Sequence, residues 1–271
     1  MFTPVSLVTV SYNSAEVLTA CWSGDLPGVE WIVVDNNSAD DTVAVARSLG
    51  AKVIGLPRNV GFSGANNIGA GQATGNTLIF CNPDVTVTQE GVAKLVEFAQ
   101  ARECLVAPQL VNEDGSLQEN GRGAPYPYRK ARHLLLRGSP SEEDSYSRLA
   151  RGDEVIPVVW VMGAAVAVQR KIFERIGGWD DSYFIYYEDA DLCLRAWDLG
   201  IPTYVDGSVR WRHGWARETA RGLSWRAWKH EFASAARFYL THRYCLIPIG
   251  RRGRRMRARD RDIAPAASPR P

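Results

Sequence analysis

Through the first hundred residues, short apolar runs alternate with segments of helical period, and polar residues gather wherever an apolar run stops. Val5–Ser11, Trp31–Asp35, Lys52–Leu56 and Thr77–Cys81 read as buried strands. Between them, Ala15–Trp22, Asp40–Leu49 and Ser63–Gln72 carry helical spacing, and Thr88–Arg102 follows the last strand with another helical period. Asn37 or Ser38 is placed to cap the second of these helices. Strands apolar on both faces and joined by helices predict an α/β fold, with a mainly parallel central sheet covered by helices on both sides. Ligands of such sheets bind just past the carboxyl ends of the strands. The residues there are polar each time: Ser11-Tyr12-Asn13, Asp35-Asn36-Asn37 and Asn82-Pro83-Asp84.

The pattern changes after residue 108. Gly, Pro, Ser and charged residues dominate 109–153, which reads as a long irregular stretch of the kind that is functional or disordered. Val155–Val168 reads as one buried strand, Lys171–Ile176 as a short helix, 188–199 as a further helix and Ser224–His242 as an amphipathic helix rich in aromatics. The expected organisation is a single domain over 1–248, with a ligand-binding half at 1–108 and a second half at 109–248, followed by a flexible basic tail at 249–271.

Composition adds three points. A chain of 271 residues with 45% hydrophobic and 23% charged residues is ample for a full core. The net charge of +2 conceals a tail, Arg251-Arg252-Gly253-Arg254-Arg255-Met256-Arg257-Ala258-Arg259, suited to anionic lipid or nucleic acid. The five cysteines form no CxxC pair and no metal-ligand spacing, which suits reduced core thiols in a cytoplasmic protein. No secretory signal and no apolar run of membrane-spanning length is apparent.

The strongest candidate chemistry is the acidic run Tyr187-Glu188-Asp189-Ala190-Asp191, directly behind a block of aromatics. On a helix starting at Glu188, Asp189 shares the inward face with Leu192, Cys193 and Ala196, while Asp191 is expected on the exposed side, paired with Arg195 four residues on. Glu188 and Asp189 suit either a helix cap or a catalytic carboxylate. Asp35, at the end of a buried strand, suits hydrogen bonding to a base or ribose, or a simple turn. The glycine-rich entry Arg58-Asn59-Val60-Gly61-Phe62-Ser63-Gly64-Ala65-Asn66-Asn67-Ile68-Gly69 offers backbone N–H groups to an anion but lacks the P-loop and dinucleotide-binding spacings. Asp84, with His213 as a second ligand, suits Mn²⁺ or Mg²⁺ better than a structural zinc.

Together, Val10-Ser11-Tyr12-Asn13-Ser14, Asp35-Asn36-Asn37-Ser38, Asn59-Val60-Gly61-Phe62, Ala65-Asn66-Asn67, Asn82-Pro83-Asp84, Gly177-Gly178-Trp179-Asp180 and the acidic run resemble the family 2 inverting glycosyltransferases of GT-A fold, above all their rhamnosyltransferase-like branch. The resemblance covers residues 5 to 245. It implies a Rossmann-like GT-A domain and a dTDP-, UDP- or GDP-sugar donor, held by Thr9, Ser11, Tyr12, Asn13, Asp35, Asn37, Asn59, Gly61, Asn66, Asn82 and Asp84. It further implies a divalent metal on Asp84 and His213, with Asp189 as general base and Glu188 in reserve. Asn82 stands where the family's DxD motif has its first acid, and a neutral ligand binds metal less tightly. Acceptor recognition, of a glycan or lipid-linked glycan, is expected from Trp160, Gly163, Trp179, Asp180 and Tyr187, with Tyr186 as a further stacking ring and the 109–153 stretch closing over the site. The basic tail and the helix 224–242 suggest peripheral contact with the inner face of the cell membrane. The alternatives are a nucleotidyltransferase, disfavoured because no lysine-rich loop follows the first strand, and a non-catalytic nucleotide-sugar or nucleic-acid binding protein; nucleic acid is the weaker partner.

Overall fold

The computed structural model describes residues 4–22, 26–130, 146–214, 225–247 and 250–262. Its strands are β1 (Val5–Ser11), β2 (Val29–Asp35), β3 (Lys52–Gly55), β4 (Thr77–Cys81), β5 (Val85–Thr86), β6 (Leu105–Val111), β7 (Gly121–Arg122), β8 (Ser147–Arg148), β9 (Val155–Val158), β10 (Trp160–Val161), β11 (Ala165–Gln169) and β12 (Thr203–His213). The helices are α1 (Ala15–Cys21), α2 (Thr42–Ser48), α3 (Gly61–Gln72), α4 (Gln89–Ala101), α5 (Arg170–Ile176), α6 (Glu188–Asp198), α7 (Trp225–Thr241), α8 (Arg243–Leu246) and α9 (Gly250–Asp262).

The central sheet runs β3-β2-β1-β4-β11-β6-β12-β5, with β9 also on β12, while β10-β7-β8 form a small second sheet. β1 is parallel to β2 and β4, and β12 to β6; only β11, β9 and β5 run against that direction. The core strands alternate between two fully buried layers. Val8, Ile32 and Val34 face α3, α5 and α6 through Ala65, Phe173 and Leu192, whereas Leu7, Trp31 and Val33 face α1, α2 and α4 through Leu18, Ala46 and Leu95. Continuous apolar strands are what a sheet covered on both faces demands.

Three segments differ from the sequence reading. Val155–Val168 is not one strand: the chain breaks after Val158 and again around Gly163, giving β9, β10 and β11 to two sheets. The 109–153 stretch holds the end of β6 together with β7 and β8, and its residues 131–145 lie outside the described ones. The basic tail is helical over 250–262. There Met256 is fully buried beside Phe238 and Cys245, and Asp260 accepts the Ala124 N–H at 2.9 Å and pairs with Arg129 at 2.5 Å. Arg251, Arg252, Arg254, Arg255 and Arg257 are exposed, while these two side chains, four residues apart, face the protein. Among the described residues no helix is long and apolar enough to cross a membrane, and all five cysteines are free.

Candidate active site

The carboxyl ends of β1 and β2 are fastened to each other by side chains. Asn13, in the left-handed region at φ 50°, donates its backbone N–H to Ser38 Oγ at 2.8 Å and accepts the Ala39 N–H at 2.8 Å. Asp35 is 3% exposed and accepts both the N–H and the hydroxyl of Ser38, so it closes the turn that left-handed Asn37 completes. The turn and ligand readings of Asp35 are therefore compatible, since a carboxylate has further lone pairs. Tyr12 stands 53% exposed at the rim. Thr9 and Ser11 are fully buried, with Thr9 Oγ1 receiving Trp31 Nε1–H at 3.1 Å, so their side chains support the strand end from below.

The entry to α3 is locked by asparagines. Asn36, a polar strand-end residue with no role of its own in the sequence, accepts the Val60 N–H at 2.8 Å and donates to the Gly61 carbonyl at 3.1 Å. Asn59 Oδ1 receives the Gly61 N–H at 2.9 Å. Gly61 has φ 82°, and a Cβ there would lie 2.5 Å from the Phe184 carbonyl oxygen. That carbonyl also accepts the Phe62 N–H at 2.8 Å, joining this loop to the segment before the acidic run. Asn66 is buried and donates back to the Phe62 carbonyl, one turn earlier on its own helix. Its neighbour Asn67 makes the long-range link, exchanging two hydrogen bonds with the Trp179 backbone at 2.8 and 3.0 Å.

Asp84 and His213 do meet. β12 pairs with β5 so that His213 lies opposite Val85, and the His213 Nε2 comes 3.4 Å from Asp84 Oδ1. Gln118 donates its amide to the His213 carbonyl at 2.9 Å, which turns its Oε1 toward His213 Nδ1 at 2.8 Å. In a neutral ring, an acceptor at Nδ1 favours the proton there, which leaves the Nε2 lone pair on the Asp84 side. A divalent cation fits that pairing, and Gln118 is the outer partner that fixes the imidazole. Among the described residues no group of three His, Cys, Asp or Glu could hold a metal, so a cation placed here would take two protein ligands and draw its remaining ones from water or a bound ligand. The Asn82 backbone N–H donates to the Ala164 carbonyl at 2.8 Å, and Trp22 Nε1 holds the Pro83 carbonyl at 2.8 Å.

The acidic run opens α6 from a constrained turn. Tyr186 and Tyr187 both lie in the left-handed region, at φ 72° and 68°, a conformation costing bulky residues about 1–3 kcal/mol each. Glu188 is 7% exposed, and its Oε2 has no hydrogen-bond partner among the described residues. Burial, and then the neighbouring Asp189 charge, push its carboxyl well above the usual range. Asp189 is partly buried, and burial raises it too. Hydrogen bonds from Gly163 at 3.0 Å and Ala190 at 2.7 Å temper that rise, as does the charge of Arg122, itself held by Glu119 at 2.9 Å.

Asp191 is a correction. It is 1% exposed, bonded both to Arg195 Nε at 2.7 Å and to His242 Nε2 at 2.8 Å. The expected pair with Arg195 forms, but α7 and His242 cover the side taken as exposed.

The acceptor-side candidates separate. Trp179 is 2% exposed, edge-on to Phe62 and Phe80 at 5.4 and 5.3 Å, so it is core and has no free face for a sugar. Asp180 closes a turn by accepting from Ser182. Tyr187 is covered by Phe238 at 5.1 Å and by Lys130, whose Nζ donates to its hydroxyl at 2.7 Å. Trp160 stays partly exposed, faces Arg122 across the small sheet, and has a buried Nε1–H without an acceptor among the described residues. Gly163 is buried against Asp189 and Phe62; a Cβ there would lie 3.3 Å from the Asp189 Cβ.

A family model described as Glycosyl transferase family 2 matches residues 6–176, which ends before the acidic run. A low-salt glycan biosynthesis hexosyltransferase, Agl10, of Haloferax volcanii is 25% identical over 201 residues, covering 72% of this chain. The chain spans only 62% of that relative's length. An N-acetylglucosaminyl-diphospho-decaprenol L-rhamnosyltransferase of Mycobacterium tuberculosis is 28% identical over 212 residues, covering 71% of this chain and 69% of its own. Among solved structures, GalNAc-T7 with UDP, GalNAc and Mn2+ superposes with a TM-score of 0.59 at 17% identity, over 96% of this chain and 54% of that one. The chain belongs to glycosyl transferase family 2 and has the GT-A fold.

Proposed function

We propose that the protein is an inverting glycosyltransferase, moving a sugar from a nucleoside-diphosphate donor to a hydroxyl of a glycan or lipid-linked glycan. One observation carries the reading. Gly163 donates to Asp189 while Ala164, the next residue, accepts from Asn82 in the turn that leads to Asp84 and His213. The Asp189 carboxylate and the turn that carries Asp84 are thus held by adjacent residues. Asp189 takes the acceptor hydroxyl proton, and the acceptor oxygen bonds to the anomeric carbon. On the opposite face the bond to the diphosphate oxygen breaks and its electron pair leaves with the diphosphate, through an oxocarbenium-like state. A cation bound by Asp84 and His213 would neutralise charge on the departing diphosphate. Tyr12 offers an exposed ring to the base, and Asp35 its remaining lone pairs to the nucleoside. Arg122 and Trp160 border the acceptor side. Thermal shifts with UDP, GDP and dTDP, each with and without Mn²⁺, test the reading. A bound diphosphate at about a hundredfold excess over Kd adds about 2.7 kcal/mol. His213→Ala should lose the Mn²⁺-dependent increment alone, and no response to any diphosphate would refute the donor site.

Similarity to the mycobacterial L-rhamnosyltransferase supports L-rhamnose as the sugar and a lipid diphosphate as acceptor carrier. The surface supports contact with an anionic leaflet. Phe232, Leu240, Leu246 and Ile247 are 48–65% exposed, and Arg251, Arg252, Arg254, Arg255 and Arg257 are exposed just beyond them. Each basic residue near such a surface contributes about 1 kcal/mol. Replacing these five arginines by Gln should abolish flotation with phosphatidylserine vesicles; undiminished flotation would contradict the contact. Substitution is a cleaner test than deleting the tail, because deletion would strip the cover from the core around Met256.

A further inference from the structure

The residues before and within the acidic run are gripped from one side by a single helix. Along α7 and just past its end, positions 230, 234, 238 and 242 recur every four residues and form one slanting ridge. His230 stacks on Phe184 at 4.7 Å, and the Ser234 hydroxyl donates to the Ile185 carbonyl at 2.8 Å. Phe238 packs on Tyr187 at 5.1 Å, and His242 Nε2 meets Asp191 Oδ1 at 2.8 Å. Phe238 and His242 are buried. The contacts bracket Tyr186 and Tyr187, the two consecutive left-handed residues from which α6 and Asp189 emerge. A turn of two bulky residues in that conformation persists only where its surroundings over-determine it. The other fixed side is the Phe184 carbonyl, bonded to Phe62 of the donor-side loop. The whole ridge lies beyond residues 6–176, the span of the family match.

We propose that α7 and His242 form a positioning template, which holds the Tyr186–Tyr187 turn in its left-handed form and thereby aims Asp189 at the acceptor hydroxyl. The proposal rests on Asp189 being the base. None of the four ridge residues touches the reacting atoms; they act through the turn.

The test compares full-length wild type with His242→Ala, His242→Gln and Ser234→Ala, the Gln variant keeping a donor toward Asp191. One readout is steady-state release of nucleoside diphosphate from UDP-, GDP- and dTDP-sugars. The second is hydrogen–deuterium exchange of the amides at 184–191. For His242→Ala, kcat should fall about tenfold to a hundredfold, the scale of a misplacement near 1 Å. Donor KM should stay within about twofold. Exchange at 184–191 should quicken roughly tenfold while β1 and β4 stay protected. His242→Gln should recover most of both losses, and Ser234→Ala should give a milder loss in the same two readouts should the alanine variant at 242 not fold. Wild-type kcat in a variant whose 184–191 exchange has quickened would overturn the positioning role. Unchanged exchange in His242→Ala or Ser234→Ala would overturn the template itself. If wild type releases no diphosphate from any donor, the proposed activity fails instead, and the exchange result still decides whether the template exists.

Discussion

Glu188, Asp189 and Asp191 sit within one helical turn, yet their surroundings separate them. Asp191 is pushed up by burial, but His242 and Arg195 outweigh that and hold it below the usual range. Its contribution to stability is full above its unfolded value and fades as pH falls through its lower folded one. Glu188 and Asp189 run the other way. The native fold binds protons that the unfolded chain releases, so these two groups lower stability as pH rises above their ordinary values of 4.5 and 3.8. Glu188→Gln removes one such group without changing shape. It should raise the melting temperature at neutral pH by about 2–4 °C for each kcal/mol recovered, and flatten its decline with pH. A lower melting temperature would mean that the Glu188 charge is compensated in the fold. The same raised value in Asp189 suits a base, because a more basic carboxylate takes the acceptor proton more readily.

At the scale of elements, legibility followed how local each determinant is. β1, β2 and β4 were readable because a strand buried on both faces must be apolar throughout, and the polar ends of those strands marked the ligand edge. β12 was not recognised: Asp206-Gly207-Ser208 interrupts it, and its register against β6 shifts between Asp206 and Arg210. β6 hides behind Pro108 and a buried Gln109. His213 was singled out, but Gln118, which orients it, lies across the fold and leaves no local signal. Asp191 reads as exposed from its own helix alone, whereas its cover comes from residue 242. The arginine content of α9 reads as a flexible tail, though Met256 and Asp260 share its inner face. Met256→Ala should therefore cost about 2–5 kcal/mol in denaturant unfolding, as for other fully buried Met side chains. A cost below about 0.5 kcal/mol, the range of surface substitutions, would show that α9 does not dock.

For the whole molecule, the two ends of the chain serve one edge of the sheet. The first hundred residues supply the strand ends and the Asp84 turn, the turn between β10 and β11 sets Gly163 and Ala164 between that turn and Asp189, and the C-terminal helices close over the acidic run. The central claim is that Asp189 removes a proton from the acceptor and is otherwise dispensable for binding the donor. Asp189→Asn keeps the side-chain shape and an oxygen for the Gly163 N–H, and removes the charge. Diphosphate release in the presence of acceptor should fall by about 10²–10⁴-fold, the usual share of a general base, with the Mn²⁺-dependent thermal shift by the nucleoside diphosphate intact. Wild-type turnover in Asp189→Asn, with that thermal shift intact, would contradict the account.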